Sequence, residues 1–109
     1  MAIEEPKDWF EKELPEKVKD DPDTVEGFDG VLVFQITGDN GGTWGVEIRD
    51  KVLTVHDGGH EKPDIQVTMK GGDFVNFING KLNPQMAFMT GKLKVKGNMQ
   101  LAMKLNKLL

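Results

Sequence analysis

The sequence predicts an α+β domain in which a twisted, mostly antiparallel sheet carries helices on one face. Two observations predict this class. Four segments in the middle of the chain alternate apolar and polar residues, as half-buried strands do. After these segments the apolar residues recur at helical spacing, except in one more short alternating segment near the C-terminus. Strands in a hairpin meander followed by helix, helix, strand and helix indicate α+β.

The length of the chain limits the number of domains. With 109 residues the chain is long enough for one domain and one core. We expect a single domain over residues 1–109, with an acidic helical lead-in over 1–27 and the core over 28–109. No apolar run approaches the ~20 residues that span a bilayer, and residues 1–5 lack the basic and apolar regions of a secretion signal. We therefore expect a soluble, intracellular protein.

The lead-in carries two short predicted helices. Trp9 and Phe10 lie at helical spacing from Leu14. The Leu14-Pro15 step predicts a break before a second turn reaches Val18. The sequence leaves open whether these helices cover a cavity or lie outside it.

The strands are predicted from alternation and turn residues. They run over Val31–Thr37, Thr43–Arg49, Val52–His56 and Ile65–Met69. Trp44, Val46 and Ile48 share one predicted face, which we expect to be core, as we do for Ile65, Val67 and Met69. A tight turn at Asp50-Lys51 joins the second and third strands, and a solvated loop follows from Asp57 to Pro63.

Two helices and a strand follow. We expect Asp73 to cap a helix that carries Phe74, Phe77 and Ile78 at helical spacing. Asn83 is predicted to cap the next helix, whose first position is Pro84, and Gly91 to end it. Alternation over Lys92–Lys96 predicts a strand, and Asn98 is predicted to cap a last amphipathic helix.

Charge is distributed unevenly along the chain. Residues 1–30 have a net charge of −7, residues 31–89 of −2 and residues 90–109 of +5. Two interpretations of the basic end stay open. Lys92, Lys94 and Lys96 solvate and protect a strand edge, or they bring this end of the protein to an anionic membrane. Nucleic acid fits poorly, because the chain is acidic overall and no basic run is interleaved with exposed aromatic residues.

Residue types for covalent or metal chemistry are scarce. The chain has no cysteine, no tyrosine and no serine, and only two histidines. His56 and His60 flank a glycine turn, where a spacing of four residues creates no helix face for a metal. The glycine pairs belong to no phosphate-binding motif. We therefore expect no catalysis, no cofactor and no metal site.

Methionines are concentrated in the C-terminal part of the chain. Met86, Met89, Met99 and Met103 fall in the two last predicted helices, together with further apolar residues. Such unbranched thioethers either fill core or repack around ligands of different shape. Periodicity alone does not separate these two uses.

One stretch resembles a known family. From Asn83 the chain contains Asn-Pro-Gln-x-Ala-Phe-x-x-Gly-Lys-Leu-Lys-x-x-Gly-Asn-Met-x-Leu-Ala-Met-Lys-Leu, which resembles the hallmark of the sterol carrier protein type 2 (SCP-2) lipid-transfer domain. Thr43-Trp44, Pro63-Asp64, Asp73-Phe74 and Asn79-Gly80 occur upstream in the order of that family. The resemblance covers residues 28–108 and is closest to single-domain, prokaryotic-type members.

The resemblance implies a five-stranded sheet and a hydrophobic lipid tunnel between sheet and helices. It implies non-enzymatic binding and transfer of a fatty acid, a fatty acyl-CoA or a sterol-like lipid, without a cofactor. The implied lipid-binding residues are Trp44, Phe77, Gln85, Met86, Phe88, Met89, Met99, Ala102, Met103 and Leu105. Gln85 is a candidate for the head-group end of a ligand, with a capping or solvent role as the alternative.

The family also contains the fold as a dimerising or accessory module of lipid-metabolising enzymes, which is the alternative function for this chain. Monomer and homodimer both stay open. Eukaryotic members end in a peroxisomal tripeptide, whereas this sequence ends Lys107-Leu108-Leu109. We therefore expect a cytoplasmic location, with transient contact to anionic membrane through the basic C-terminal region.

Overall fold

The computed structural model describes residues 4–97 except 26, 39, 40, 60 and 61. The helical elements are α1 (Pro6–Asp8), a π-helical turn (Trp9–Glu13), α2 (Leu14–Asp20), a 3₁₀ turn (Pro22–Val25), α3 (Gly71–Ile78) and α4 (Pro84–Met89). The strands are β1 (Gly30–Thr37), β2 (Gly42–Arg49), β3 (Val52–Asp57), β4 (Ile65–Lys70) and β5 (Lys94–Gly97). The predicted last helix from Asn98 lies outside the described residues.

The five strands form one sheet in the order β3-β2-β1-β4-β5. β1 pairs antiparallel with β2, and β2 pairs antiparallel with β3, so the predicted meander is present. β4 lies parallel to β1 on its other side, and β5 closes that edge antiparallel to β4. The sheet is therefore mixed but mostly antiparallel, which confirms the predicted α+β class.

One face of the sheet packs against the helices. Register places Phe34 between Trp44 of β2 and Val67 of β4, on the same face. The buried residues of this face are Leu32, Phe34, Ile36, Trp44, Val46, Ile48, Ile65, Val67 and Met69. They share one hydrophobic core with the buried side chains of the helices, so the inward faces predicted for the second and fourth strands are confirmed.

Phe10 lies at the centre of this core. Its side chain is completely buried, and its ring stacks on Trp44 and on Phe74 with centroids 4.7 and 5.3 Å apart. Phe34 tilts against it at 5.0 Å, and Trp9 meets it edge to face at 4.9 Å. The lead-in helices therefore pack directly on the sheet and supply the centre of the core.

The predicted break at Leu14-Pro15 is wrong. The backbone stays helical at Glu13 (φ −69°, ψ −45°) and at Leu14 (φ −63°, ψ −49°). The Leu14 N–H donates to the Trp9 carbonyl, five residues back. This wider turn accommodates Pro15, which has no N–H to donate and whose ring would clash with a carbonyl in a regular α-helix.

The predicted cap of α3 is also wrong. The helix begins at Gly71 with Lys70 at the N-cap, so Asp73 lies inside its first turn. β4 runs into α3 without a loop, and a Cβ at Gly71 would lie 3.4 Å from the Thr37 carbonyl oxygen. Asp73 nevertheless lies in the first turn, where a negative charge is favourable to the helix dipole.

The loop after β3 folds back over the other face of the sheet. Gly59 approaches Gly45 so closely that a Cβ on Gly45 would lie 2.9 Å from the Gly59 backbone. Val33, on this face of β1, is 4% exposed. Asp64 fixes the end of the loop, because its carboxylate accepts the Val31 N–H at 2.8 Å. Part of the predicted loop therefore packs on the face of the sheet opposite the helices.

We expect Phe10→Ala to destabilise the fold by about 3–5 kcal/mol, because it removes a fully buried ring and leaves a cavity. The matched control is Phe88→Ala, which removes the same atoms from a side chain that is 54% exposed and should change the free energy of unfolding by less than about 0.5 kcal/mol. Urea unfolding of both variants tests this. Equal losses would show that Phe10 is not the centre of the core.

Candidate functional site

The candidate site is built on α4 and β5, at one edge of the sheet. Asn83 caps α4 as predicted, since its Oδ1 accepts the backbone N–H groups of Gln85 at 2.8 Å and of Met86 at 3.4 Å. Gly91, at φ +78°, turns the chain out of the helix. The backbone N–H groups of Lys92 and Leu93 both donate to the Ala87 carbonyl, so the start of the strand segment is tied to α4.

The burial of α4 is unusual for so apolar a helix. Ala87 is fully buried, whereas Met86, Phe88 and Met89 are 55%, 54% and 73% exposed. Successive helical residues are about 100° apart, which places Met86 and Phe88 on the two flanks of Ala87 and Met89 opposite to it. Among the α4 side chains whose burial is described, only Ala87 is fully buried, and three large apolar side chains are more than half exposed.

Incomplete burial extends around α4. Apolar side chains that pack on the core but are only half-buried include Val75 and Ile78 of α3, Leu82 before α4, and Leu93 and Val95 beside or in β5. In the lead-in half of the core, by contrast, Phe10 and Leu14 are fully buried. Leu53 and Val55 of β3 are also only partly buried, but three of the four large apolar side chains that are more than half exposed in the described residues lie on α4, the fourth being Val52.

Lysines surround this apolar surface. Residues 74–109 contain six lysines and no aspartate or glutamate. Lys92, Lys94 and Lys96 are exposed, while Val95 between them turns toward the core opposite Val67. None of the ion pairs within the described ranges involves these three lysines. Met86, Phe88, Met89, Lys92 and Lys94 together are called the α4–β5 surface below.

The second half of the acidic lead-in, α2, lies at the other edge of the sheet. α2 packs beside β3, which is the edge strand opposite β5. Glu16 and Asp20 of α2 are exposed. Four strand spacings separate the two edges by roughly 19 Å. α1, by contrast, contacts α3, and Glu4 borders the same cleft as Lys70, so only the α2 part of the lead-in lies at the β3 edge.

The remaining predicted lipid-binding residues fall into three groups. Trp44 and Phe77 are 6% and 8% exposed and belong to the core. Gln85 is exposed, in the first turn of α4. The other four predicted residues, Met99, Ala102, Met103 and Leu105, lie outside the described part of the chain.

The described residues also border clefts on the surface. One of about 310 Å³ has Trp44, Phe10 and Val55 in its wall. One of about 570 Å³ lies between Pro6, the end of β1 and the start of α3. The third, of about 510 Å³, is lined by Lys70, Lys92 and Lys94 with Thr68 and Asp73, and adjoins the α4–β5 surface. Lys70 was not singled out from the sequence, since only the sheet pairing brings it beside the other lysines.

A polar cluster lies on the outer face of the sheet. Glu47 accepts a hydrogen bond from Arg49 at 2.9 Å, and the His56 Nε2 is 3.2 Å from its other oxygen. The hydrogen bond from Arg49, and then that with His56, lowers the pKa of Glu47. The same carboxylate raises the pKa of Arg49. Alternation placed Glu47 and Arg49 on one face, but their pairing with His56 required the β2–β3 register.

The described residues contain no group of three His, Asp or Glu side chains arranged to hold a metal. His60 is outside the described ranges. Among the helices of the described segments, none has the length and apolarity needed to cross a membrane.

The fold and sequence match a known family. Residues 11–109 match the SCP-2 sterol transfer family, so the chain belongs to that family. Its members are lipid-binding and lipid-transfer domains, and this chain is a domain of that class, as its sequence predicted.

Individual relatives and solved structures are similar to this chain in sequence and in fold. The chain is 44% identical over 88 residues to the hydroxysteroid dehydrogenase-like protein 2 of Pongo abelii, with 80% of this chain and 21% of the relative covered. The sterol carrier protein domain 2 of Helicoverpa armigera superposes with a TM-score of 0.78 at 38% identity, covering 99% and 91% of the two chains. Palmitated SCP2L2 of Aedes aegypti superposes with a TM-score of 0.75 at 25% identity, covering 99% and 94%. The chain spans about a fifth of the length of the curated relatives it matches.

The Glu47 cluster predicts an acid-dependent contribution to stability. Because folding lowers the pKa of Glu47, its contribution is fully present above the unfolded pKa of about 4.3 and is lost as the pH falls through the lower folded value. Glu47→Gln should therefore reduce stability at neutral pH and flatten the loss of stability below about pH 4.3. Thermal unfolding at a series of pH values measures both effects. Parallel pH profiles for the two proteins would contradict the assignment.

Proposed function

We propose that this domain binds one lipid with a hydrocarbon tail, a fatty acid, a fatty acyl-CoA or a sterol-like molecule, in a cavity between the sheet and the helices at the α4 end. The observation that carries the proposal is the burial pattern: α4 contacts the core through Ala87, while Met86, Phe88 and Met89 stay exposed. The membership in a sterol transfer family and the palmitated relative support a ligand of this kind.

The driving force is burial of the tail. Each buried CH₂ group contributes about 0.8 kcal/mol, so a sixteen-carbon chain offers about 12 kcal/mol before ordering costs. Methionine side chains adapt to ligands of different shape, because they are unbranched and have three rotatable bonds. The lipid is thus held mainly by burial, and selectivity depends on polar groups at the head-group end.

The lining is proposed to include the α4 side chains together with Phe77 of α3, and Met99, Ala102, Met103 and Leu105 from the C-terminal segment. Trp44 is included on the family resemblance alone, since its ring stacks on Phe10 in the lead-in half of the core. Gln85 is exposed at the start of α4 and is our candidate for contact with the head group. The aromatic core occupies the other half of the sheet, which favours the α4 end for the ligand.

The proposed role is non-enzymatic. The chain lacks cysteine, tyrosine and serine, and the described His56 is engaged with Glu47. The protein is proposed to work in the cytoplasm and to exchange its lipid at anionic membranes through the basic C-terminal region. The chain matches part of a hydroxysteroid dehydrogenase-like relative, so an accessory role beside a lipid-metabolising enzyme is the alternative.

We expect native mass spectra of the delipidated protein mixed with palmitate to show a complex with one palmitate that disappears on denaturation. Met86→Gln keeps the length of the side chain but adds a polar amide, and should weaken palmitate binding by roughly tenfold because the buried apolar contact is lost. Val52→Gln is the matched control: Val52 is 64% exposed, on β3 at the far edge of the sheet. It should bind palmitate like the wild type.

The result that contradicts the proposal is protein that takes up neither palmitate nor palmitoyl-CoA. If that protein is a dimer that Met86→Gln dissociates, the exposed α4 residues serve association, and the accessory-module alternative replaces lipid binding. Equal palmitate affinity for Met86→Gln and Val52→Gln would show that the ligand does not contact α4 through Met86.

A further inference from the structure

We propose that the cleft of about 510 Å³ beside α4 binds the phosphate groups of a fatty acyl-CoA through Lys70, Lys92 and Lys94. This inference rests on the proposed function and deepens it, because it selects one of the three ligand classes named there. A free fatty acid carries one carboxylate, and a sterol-like lipid carries no phosphate. Coenzyme A carries a diphosphate and a further phosphate on its ribose, so the chemistry recognised is a hydrocarbon tail joined to a phosphate-bearing head group.

The first argument is that the sheet brings together lysines that are distant in the sequence. Antiparallel pairing of β4 with β5 places Lys94 opposite Thr68. Two residues on from this pair, β4 ends at Lys70, and the turn from α4 into β5 contains Lys92. All three lysines line one cleft. Like charges that meet across neighbouring strands are destabilising, and a bound anion would offset their repulsion.

The second argument is that edge protection does not account for Lys70. Lysines on an edge strand hinder pairing with another chain, which is a sufficient reason for Lys94 and Lys96 on β5. Lys70 instead ends β4, an inner strand that lies between β1 and β5. It is exposed, and none of the ion pairs within the described ranges includes Lys70, Lys92 or Lys94. The three ammonium groups are therefore available to a ligand.

The third argument is the chemistry of the lining. The hydroxyls of Thr37 and Thr90 donate to backbone carbonyls, and that of Thr68 donates to Gln35. The lysines are thus the side chains of the lining that supply donors to a ligand, as point charges that suit phosphate oxygens. Asp73 is the one acidic residue among the described lining residues, so the lysines outnumber it by three to one. The cleft also has the size of sites that hold small molecules, about 300–1,000 Å³.

The fourth argument is that the cleft adjoins the proposed lipid contacts. Thr90, the C-cap of α4, lies in the wall of the cleft and directly follows Met89, which is 73% exposed. Gln85, the head-group candidate named above, lies at the other end of this helix, whose six residues span about 9 Å. The pantetheine arm of coenzyme A is longer than that. A thioester near Gln85 therefore allows the phosphates to reach the cleft.

Two double variants of the full-length protein test the assignment. Lys70→Gln with Lys94→Gln removes two charges from the cleft. Lys81→Gln with Lys96→Gln is the matched control, since it makes the same change in net charge at two exposed lysines of the same region that do not line the cleft. Isothermal titration calorimetry measures the binding of palmitoyl-CoA, palmitate and palmitoyl lysophosphatidate, each below its critical micelle concentration.

We expect the wild type to bind palmitoyl-CoA more tightly than palmitate. The cleft variant should weaken palmitoyl-CoA binding by roughly 25-fold, about fivefold per lysine, and leave palmitate binding unchanged, because only the CoA ester places phosphates in the cleft. The control variant should change either affinity by less than about threefold. Equal losses of palmitoyl-CoA binding in the two variants would show that net charge alone attracts the ligand and would overturn the proposal.

A third variant is expected to gain affinity, which a damaged fold would not produce. Asp73→Asn removes the acidic side chain of the lining and should strengthen palmitoyl-CoA binding by about fivefold without changing palmitate binding. Unchanged or weaker palmitoyl-CoA binding contradicts the assignment of the phosphates to this cleft. Lysophosphatidate that binds as tightly as palmitoyl-CoA, with the same loss in the cleft variant, overturns the choice of an acyl-CoA, because a single phosphate then suffices.

The outcomes separate this inference from the proposed function. Palmitate that binds as tightly as palmitoyl-CoA overturns the phosphate site and leaves the lipid-binding function in place. Uptake of neither ligand removes the lipid-binding function, and the phosphate site with it. Palmitoyl-CoA binding that depends on Lys70 and Lys94, without uptake of palmitate, supports the phosphate site and removes free fatty acids from the proposed ligands.

Discussion

The contact on which the fold depends is the Phe10 ring stacked between Trp44 and Phe74. It joins three parts of the chain that are distant in sequence: the lead-in helices, the sheet and α3. Each aromatic pair contributes about 0.5–1.5 kcal/mol beyond the burial of its area. These rings fill the space over β1 and β2, and a cleft of about 310 Å³ opens beside Phe10, Trp44 and Val55. The large apolar side chains that are more than half exposed in the described residues are Met86, Phe88 and Met89 of α4, where the proposed ligand contacts are placed, and Val52 of β3.

Much of the fold follows from local sequence signals. Alternation identified the strands to within a residue or two, because each has one face in the core and one face in solvent or under a loop. Asn83 and Gly91 bounded α4 correctly, since capping and left-handed turns depend on the residues themselves. The family resemblance added the number of strands, which periodicity does not determine.

The errors have tertiary causes. Pro15 predicted a break, but the packing of Phe10 and Leu14 keeps the helix continuous and the π-helical turn accommodates the proline. Asp73 resembled a cap, yet the N-cap is Lys70, three residues earlier, because β4 runs into α3 without a loop. The exposure of Met86, Phe88 and Met89 could not be predicted either. A helix of six residues with apolar side chains on every side does not indicate which of them faces the core.

The attachment of α4 through Ala87 has an energetic consequence. The free energy needed to displace an element locally depends on the apolar area it buries. Of the described α4 side chains only Ala87 is fully buried, whereas Phe10 and Leu14 of the lead-in are both fully buried. Displacing α4 therefore exposes less apolar surface than displacing the lead-in, and it leaves the stack of Phe10 on Trp44 and Phe74 in place.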